Sequence, residues 1–242
     1  MPIMSVNKLK ASQKTISTIM EKYFDNEYFL FDKIIPRPNT IRLGRSLHTE
    51  DAILYTIAQM DDDKLIELER KLSEKGIDKL FISKYLMSDK PATLIELKHN
   101  ISEGELERFK KFSDNCEPHW YEKEVGLDIK SYIDLGNIYI NNLLQYGCID
   151  DIDWECANWG TESNGYLYES DESCLTFDTE HTPPIEIVKK LSKEFPNDTF
   201  QLLFETNDGQ ISGKYVLEDG NITMSDIKYE NSELFDEEEM EL

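Results

Sequence analysis

Cysteine, histidine and clustered carboxylates are the side chains here whose chemistry could support catalysis or metal binding. The four cysteines, Cys116, Cys148, Cys156 and Cys174, include no pair at CxxC spacing, so the sequence indicates no zinc knuckle. Cys174 and His181 could form a nucleophile pair, but a reactive thiolate requires an electropositive neighbourhood and this region is acidic. We therefore expect Cys174 to be a buried structural thiol.

Neighbouring carboxylates provide the second possible chemistry. Asp150, Asp151 and Asp153 could bind a divalent cation, as in a metal-dependent hydrolase or nuclease. With 49 acidic residues in 242, such groups also arise by chance. The chain contains no phosphate-binding glycine loop, no GxSxG and no HExxH motif. The sequence therefore predicts a protein that is not an enzyme and takes no cofactor, with the hydrolase as an alternative.

The charge of the chain is strongly negative and unevenly distributed. The net charge is −23, yet residues 1–147 contain 24 acidic and 21 basic residues, against 25 and 5 in residues 148–242. Such a charge repels phosphates and argues against binding to bare DNA or RNA. No apolar run is long enough to span a membrane, and the N-terminus lacks the apolar stretch of a signal peptide, which favours a cytoplasmic protein.

The first half of the sequence has helical periodicity. Apolar stripes predict helices around residues 16–23, from Thr49, over the run DDDKLIELERKLSEKG, and over 129–146. Ser102 and Glu105 match a capping box for a helix near 103–113. Trp154 and Trp159 lie in an acidic stretch, so we expect them in a core or at a domain joint rather than stacked on bases. Asn158–Thr161 is then expected to form a structured turn in which Gly160 permits the bend.

The second half changes to the two-residue period of strands. Residues 173–178, 199–206 and 211–217 alternate, and Asn207–Gln210 and Glu218–Asn221 are hairpin turns, the second leading into a strand over 222–229. One helix, expected to begin at Thr182 as N-cap with two prolines in its first turn, interrupts the strands. These patterns predict an α+β protein with an antiparallel sheet and helices on one face.

Several short motifs resemble the YubB-like family of phage and plasmid proteins. The resemblance rests mainly on residues 140–220, at Tyr146-Gly147, Trp154, Cys156, Asn158–Thr161, Asn164, Phe177–Thr179, Pro183-Pro184, Leu191–Lys193, Phe195-Pro196, Gly213 and Asp219-Gly220. It implies a C-terminal ferredoxin-like domain without an iron–sulfur cluster, and a bacterial host cell. The chain departs from the family at Glu162 and Ser163, where the family tends to have a basic residue and a tryptophan. The resemblance supplies a fold and an origin but no mechanism.

Together these observations predict three regions. They are a mainly helical N-terminal region over 1–128, a ferredoxin-like α+β domain over 129–232 and an acidic tail over 233–242. Whether the N-terminal helices form a separate domain, and the oligomeric state, remain open.

The acidic surface of the second half is the feature of the sequence that most directly indicates a function. A protein rich in carboxylates can imitate the charge of DNA and bind a basic nucleic-acid-binding protein or ribonucleoprotein. We expect inhibition of a host-defence nuclease, with an RNA-guided CRISPR effector as one version; a non-inhibitory phage or plasmid adaptor is a further alternative. The residues expected to contact the partner lie on turns and outward strand positions: Asp171, Glu172, Asp178, Glu180, Asp208, Glu218 and Asp219.

Overall fold

The computed structural model describes residues 3–44, 46, 48–77, 93–114 and 126–229. The strands are β1 (Met4–Lys10), β2 (Phe24–Asp25), β3 (Tyr28–Phe29), β4 (Gly165–Ser170), β5 (Cys174–Glu180), β6 (Thr199–Thr206), β7 (Ile211–Glu218) and β8 (Asn221–Tyr229). The helices are α1 (Gln13–Tyr23), α2 (Thr49–Gln59), α3 (Asp62–Glu74), α4 (Leu94–Asn100), α5 (Glu103–Asp114), α6 (Tyr132–Tyr146), α7 (Asp151–Trp159) and α8 (Ile185–Glu194). The predicted acidic tail lies outside the described residues.

The chain divides into two compact units. The sheet unit comprises the described parts of Met1–Arg37 and Glu155–Leu242, and the helical unit comprises those of Pro38–Trp154. The sequence placed this division at 128/129 instead. The observed division differs from the predicted one because β1 and α1 belong to the sheet unit, whereas α6 packs in the core of the helical unit.

The sheet unit has a ferredoxin-like topology. Its eight strands are antiparallel neighbours in the order β2-β3-β4-β5-β1-β6-β7-β8. The elements β1-α1-β4-β5-α8-β6 form a βαββαβ unit whose four strands lie in the order β4-β5-β1-β6. The helical unit is inserted between α1 and β4, and the β7–β8 hairpin extends one edge. The predicted α+β fold and ferredoxin-like sheet are therefore confirmed.

Strand β1 was not predicted because its buried face is polar. Ser5 and Asn7 are fully buried beside Leu9, so the strand lacks an apolar alternation. The Asn7 amide donates to the Ser5 carbonyl at 2.8 Å and to the Thr179 hydroxyl at 2.9 Å. These hydrogen bonds offset the cost of burying the amide between β5 and β6.

Helices α1 and α8 cover one face of this sheet. They lie side by side, since Lys22 Nζ approaches Glu194 Oε1 at 2.9 Å, and Phe195 at the end of α8 contacts Phe200 of β6. The face beneath them carries Leu9 and the apolar side chains that alternation predicted, all nearly or fully buried: Leu175, Phe177, Phe200, Leu202 and Phe204. We call the opposite face, which includes Val6, Asp178 and Glu205, the outer face.

The helical unit has its own apolar core. Leu65, Leu68 and Leu72 of α3 are buried at the predicted intervals, and α6 contributes Leu135, Tyr139, Ile140 and Leu143. The Ser102–Glu105 capping box is formed, with each side chain accepting a hydrogen bond from the other residue's backbone N–H. The predicted helices of this region are confirmed where the structure describes them.

Two local predictions around the tryptophans differ from the structure. Asn158 and Trp159, expected in a turn, end helix α7, and the turn follows at Gly160, whose φ is +85°. Thr182 does not cap α8; its hydroxyl donates to the Gly160 carbonyl instead. Trp154 and Trp159 are buried as expected. In the described part of the chain, no helix is both long and apolar enough to cross a membrane.

Candidate functional site

The acidic residues predicted to contact a partner do not form one surface. Asp171 and Glu172 lie in the β4–β5 turn, and Glu218 and Asp219 lie in the β7–β8 turn at the same end of the sheet, roughly 15 Å away across three strand spacings. Glu180 and Asp208 lie at the opposite end, roughly 20 Å along the strands. Apart from Asp178, these side chains are exposed or half-buried.

Asp178 was predicted to be outward and accessible, and this prediction is wrong. It lies in the middle of the outer face, between Tyr166 of β4 and Val6 of β1, and only 9% of it is exposed. Its Oδ2 accepts a hydrogen bond from the Tyr168 hydroxyl, while its buried Oδ1 has no hydrogen-bond partner. Burial raises the pKa of this carboxyl above its ordinary value, which the Tyr168 hydrogen bond opposes.

Three exposed tyrosines form a row on the outer face that leads to Asp178. Tyr28, Tyr166 and Tyr168 are 54%, 40% and 56% exposed. We call them the tyrosine row. Their rings meet edge to face, with centroids 5.8 Å apart for Tyr28 and Tyr166 and 6.0 Å apart for Tyr166 and Tyr168. Such exposed aromatic side chains are enriched at the energetic centres of protein interfaces.

Register and a β-bulge bring the row together. Tyr28 pairs with Tyr166 across β3 and β4, and a register shift between Leu167 and Glu169 interrupts the β4–β5 pairing next to Tyr168. Bulges redirect side chains in this way. The Tyr168 hydroxyl bonded to Asp178 has its pKa raised to about 12, chiefly because that hydrogen bond and burial favour the protonated form.

Charged groups surround the tyrosine row on the outer face. Glu27 accepts a hydrogen bond from the Tyr166 hydroxyl at 2.7 Å, and Glu169 lies opposite Thr176. On the other side of β1, Glu205 pairs with Val6, and desolvation raises its pKa. Lys8 lies two residues beyond Val6 along β1, between Thr176 and Leu203. The outer face is thus acidic around the row, with lysine on the adjoining central strand.

The opposite pKa shifts of Asp178 and Asp208 predict opposite effects of pH on two matched variants. A raised folded-state pKa means that Asp178 lowers stability as pH rises above the ordinary carboxyl range, so Asp178→Asn should gain in Tm relative to the wild type between pH 4 and pH 7. The Thr206 hydroxyl and the Gln210 N–H lower the pKa of Asp208, so Asp208→Asn should lose in Tm relative to the wild type as pH rises toward about 4, and this difference should then stay constant up to pH 7.

Thermal unfolding of the three proteins at a series of pH values measures both differences. If the Tm of Asp178→Asn and the Tm of the wild type changed with pH in parallel, the burial of a charged carboxylate at this position would be contradicted.

The possible nucleophile pair is not assembled. Cys174 begins β5 and His181 follows its last residue, which separates them by roughly 20 Å of extended chain. Cys174 is buried, as predicted, and its thiol pKa is raised by desolvation; burial likewise raises the pKa of Cys148 to about 11. In the part of the chain that the structure describes, no three or more His, Cys, Asp or Glu side chains are grouped to hold a metal ion.

Part of the tyrosine row could have been predicted from the spacing of residues in the sequence, although not from the composition. Tyr166 and Tyr168 are two residues apart in a strand, so their side chains share one face. Their proximity to Tyr28 could not be read from the sequence, because the helical unit separates β3 from β4 by more than 130 residues.

Comparison with known proteins finds a family model that matches part of the sheet unit. Residues 155–242 match the family model for the ferredoxin-like domain in Api92-like protein. Among solved structures, the chain is similar to the crystal structure of a protein Api92 from Yersinia pseudotuberculosis, with 12% sequence identity and a TM-score of 0.40. The superposition covers 96% of this chain and 100% of the Yersinia chain. No curated protein matches the sequence significantly. The matched residues include β4 to β8 but neither β1 nor α1, which complete the βαββαβ topology.

Proposed function

We propose that this chain is a phage- or plasmid-encoded interaction protein, akin to the YubB-like family, that acts in the cytoplasm of a bacterial host. Its partner is a basic nucleic-acid-binding protein, with a host-defence nuclease such as an RNA-guided CRISPR effector as the favoured class. The observation that carries the proposal is the tyrosine row within acidic surroundings on the outer face.

The proposed contact surface combines that row with the adjoining hairpin. Glu169, Asp171 and Glu172 are exposed at the end of β4 and in the turn that follows it. We call these three residues the acidic hairpin. Exposed aromatic rings supply apolar contact area, while the carboxylates attract lysine and arginine and accelerate association. A site of this composition disfavours phosphates and favours the proteins that bind them.

Inhibition would be competitive under this proposal. Carboxylates of this protein occupy lysine and arginine side chains that otherwise bind the phosphates of a guide or target strand. Binding of this kind weakens as salt screens the charges. It also predicts inhibition near one-to-one stoichiometry, whereas the hydrolase alternative predicts substoichiometric turnover that requires a divalent ion.

Charge reversal of the acidic hairpin tests the proposal. Glu169→Lys, Asp171→Lys and Glu172→Lys combined should reduce recovery of the partner from a bacterial lysate at least about tenfold and flatten its salt dependence. The matched control reverses Glu74, Glu107 and Asp114, three exposed carboxylates of the helical unit, with the same change in net charge. Bound proteins and nucleic acid are identified by mass spectrometry from pull-downs at low and high salt.

The control separates location from total charge. Equal loss in both triple variants would show that net charge alone drives capture, and no loss in either would exclude the acidic hairpin from the contact. Recovery of bare nucleic acid without a basic protein would contradict the proposed partner class.

A further inference from the structure

The outer face contains a carboxylate whose hydrogen-bonding capacity is only half used. Asp178 Oδ2 accepts from the Tyr168 hydroxyl, but Oδ1 lies buried without a hydrogen-bond partner. Leaving such an atom unpaired is costly, because burial removes the water that would otherwise solvate it. Since the exposed rings of Tyr166 and Tyr168 adjoin this carboxylate, and Tyr28 continues the row beyond Tyr166, the arrangement resembles a recognition site more than a core.

The chemistry of the site selects a cation. Carboxylates accept hydrogen bonds from donors, and the faces of tyrosine rings attract positive charge. An anion would meet Asp178, Glu27 and Glu169 and be repelled. The cation must therefore combine hydrogen-bond donors for Asp178 with a surface that stacks on aromatic rings.

Guanidinium meets both requirements better than ammonium. It is planar, stacks on aromatic faces and presents paired N–H donors that match a carboxylate, whereas the lysine ammonium is a compact, strongly hydrated charge. An arginine entering beside Tyr166 would displace the exposed Tyr168 ring and give both oxygens of Asp178 a donor. The release of Tyr168 costs one hydrogen bond, and the bidentate pair replaces it.

We propose that Asp178 and the tyrosine row form a binding site for an arginine side chain of the partner protein. The inference rests on the proposed function in one respect, that the partner is basic. It adds the side chain that is recognised and the residues that recognise it. The residues nearest the site that would tune its charge are Glu27, Glu169, Glu205 and Lys8.

A short peptide tests this site without knowledge of the partner. Acetyl-Gly-Arg-Gly-amide is titrated into the isotopically labelled full chain, and amide and tyrosine NMR shifts are recorded. We expect saturable shifts confined to β3, β4 and β5, and at least about tenfold weaker binding for Asp178→Asn, which keeps the shape but removes the charge. Asp208→Asn, the same change at the far end of the sheet, should stay within about twofold of the wild type.

Further variants protect the test against a folding defect. Tyr166→Leu keeps an apolar side chain but removes the aromatic face, and it should weaken binding at least about threefold. The far-ultraviolet circular dichroism and Tm of each variant show whether it is folded. Unchanged binding in folded Asp178→Asn, or equal binding of acetyl-Gly-Lys-Gly-amide, would overturn the arginine assignment.

The peptide result and the lysate result are independent. Binding of the arginine peptide with no captured protein would reject the proposed function and retain the site. Capture of a basic partner that is insensitive to Asp178→Asn and Tyr166→Leu would reject the site and retain the proposed function.

Discussion

Replacing Arg37 with methionine is expected to lower the free energy of unfolding of the sheet unit by about 3–5 kcal/mol. The Arg37 guanidinium donates to Glu155 Oε1 at 2.5 Å, approaches Asp32 Oδ1 at 3.4 Å and lies 5.1 Å from the centre of the Trp159 ring. Glu155 is 5% exposed, so the substitution leaves its charge buried without this cation. Methionine retains apolar contact with Trp159, so the loss reports chiefly on the charge.

Arg70→Met is the matched control for this prediction. Arg70 also pairs with two carboxylates, Glu67 and Glu74, but all three side chains are exposed on α3. Exposed pairs contribute about 0–1 kcal/mol each, so this variant should change stability little. Urea unfolding, with hydrogen exchange on β1 and β5 to localise the loss, measures both. Similar losses for the two variants would mean that burial adds nothing to the Arg37 pair.

Arg37→Lys separates charge from geometry at the same site. Lysine restores a cation but neither the planar fork nor the stacking on Trp159. We expect its free energy of unfolding to lie between those of the wild type and Arg37→Met. A value equal to that of Arg37→Met would assign the whole effect to the guanidinium geometry.

Local patterns in the sequence predicted local structure well. The Asn207–Gln210 and Glu218–Asn221 turns join the strands expected around them, since Gly209 and Gly220 supply the positive φ these turns require. The apolar stripes likewise produced the predicted helices. Patterns of this kind depend on residues close in sequence, and the physics that fixes them is equally local.

The errors arose where distant residues decide the structure. Strand β1 was not predicted because Ser5 and Asn7 are polar, and their burial depends on β5 and β6 on either side. Asp178 alternates with Phe177 as expected, but its burial depends on the outer face around Tyr166 and Tyr168. The acidic candidate site was scattered for the same reason, because composition identifies charges without placing them on the two ends of a sheet.

Gly136 of α6 packs tightly against α2 within the helical unit, and substituting it should have the second large effect. A Cβ at this position of α6 would collide with the Thr56 hydroxyl and the Ala52 carbonyl of α2. Thr56 is itself held by its hydrogen bond to that carbonyl at 2.8 Å. Gly136→Ala should therefore destabilise the helical unit by about 1–3 kcal/mol, even though alanine favours helix by about 1 kcal/mol.

The same substitution at Gly104 should have the opposite sign. Gly104 lies in α5, and a Cβ there would meet no atom within 4 Å, so only the helix preference remains and stability should rise by about 0.5–1 kcal/mol. Urea unfolding followed by circular dichroism compares the two variants. A stabilising Gly136→Ala would show that α2 and α6 separate without cost, which would contradict the close approach.

Removing the Thr56 hydroxyl should rescue Gly136→Ala only in part. Thr56→Ala eliminates one of the two collisions, but the Ala52 carbonyl belongs to the backbone of α2 and no substitution removes it. The double variant should therefore remain less stable than Thr56→Ala alone, with a coupling energy of about 0.5–2 kcal/mol between the two sites. A double variant as stable as Thr56→Ala would assign the whole strain to the threonine side chain. If the stability losses of the two single variants simply added in the double variant, the Gly136 and Thr56 positions would not be coupled and the collision with the hydroxyl would be contradicted.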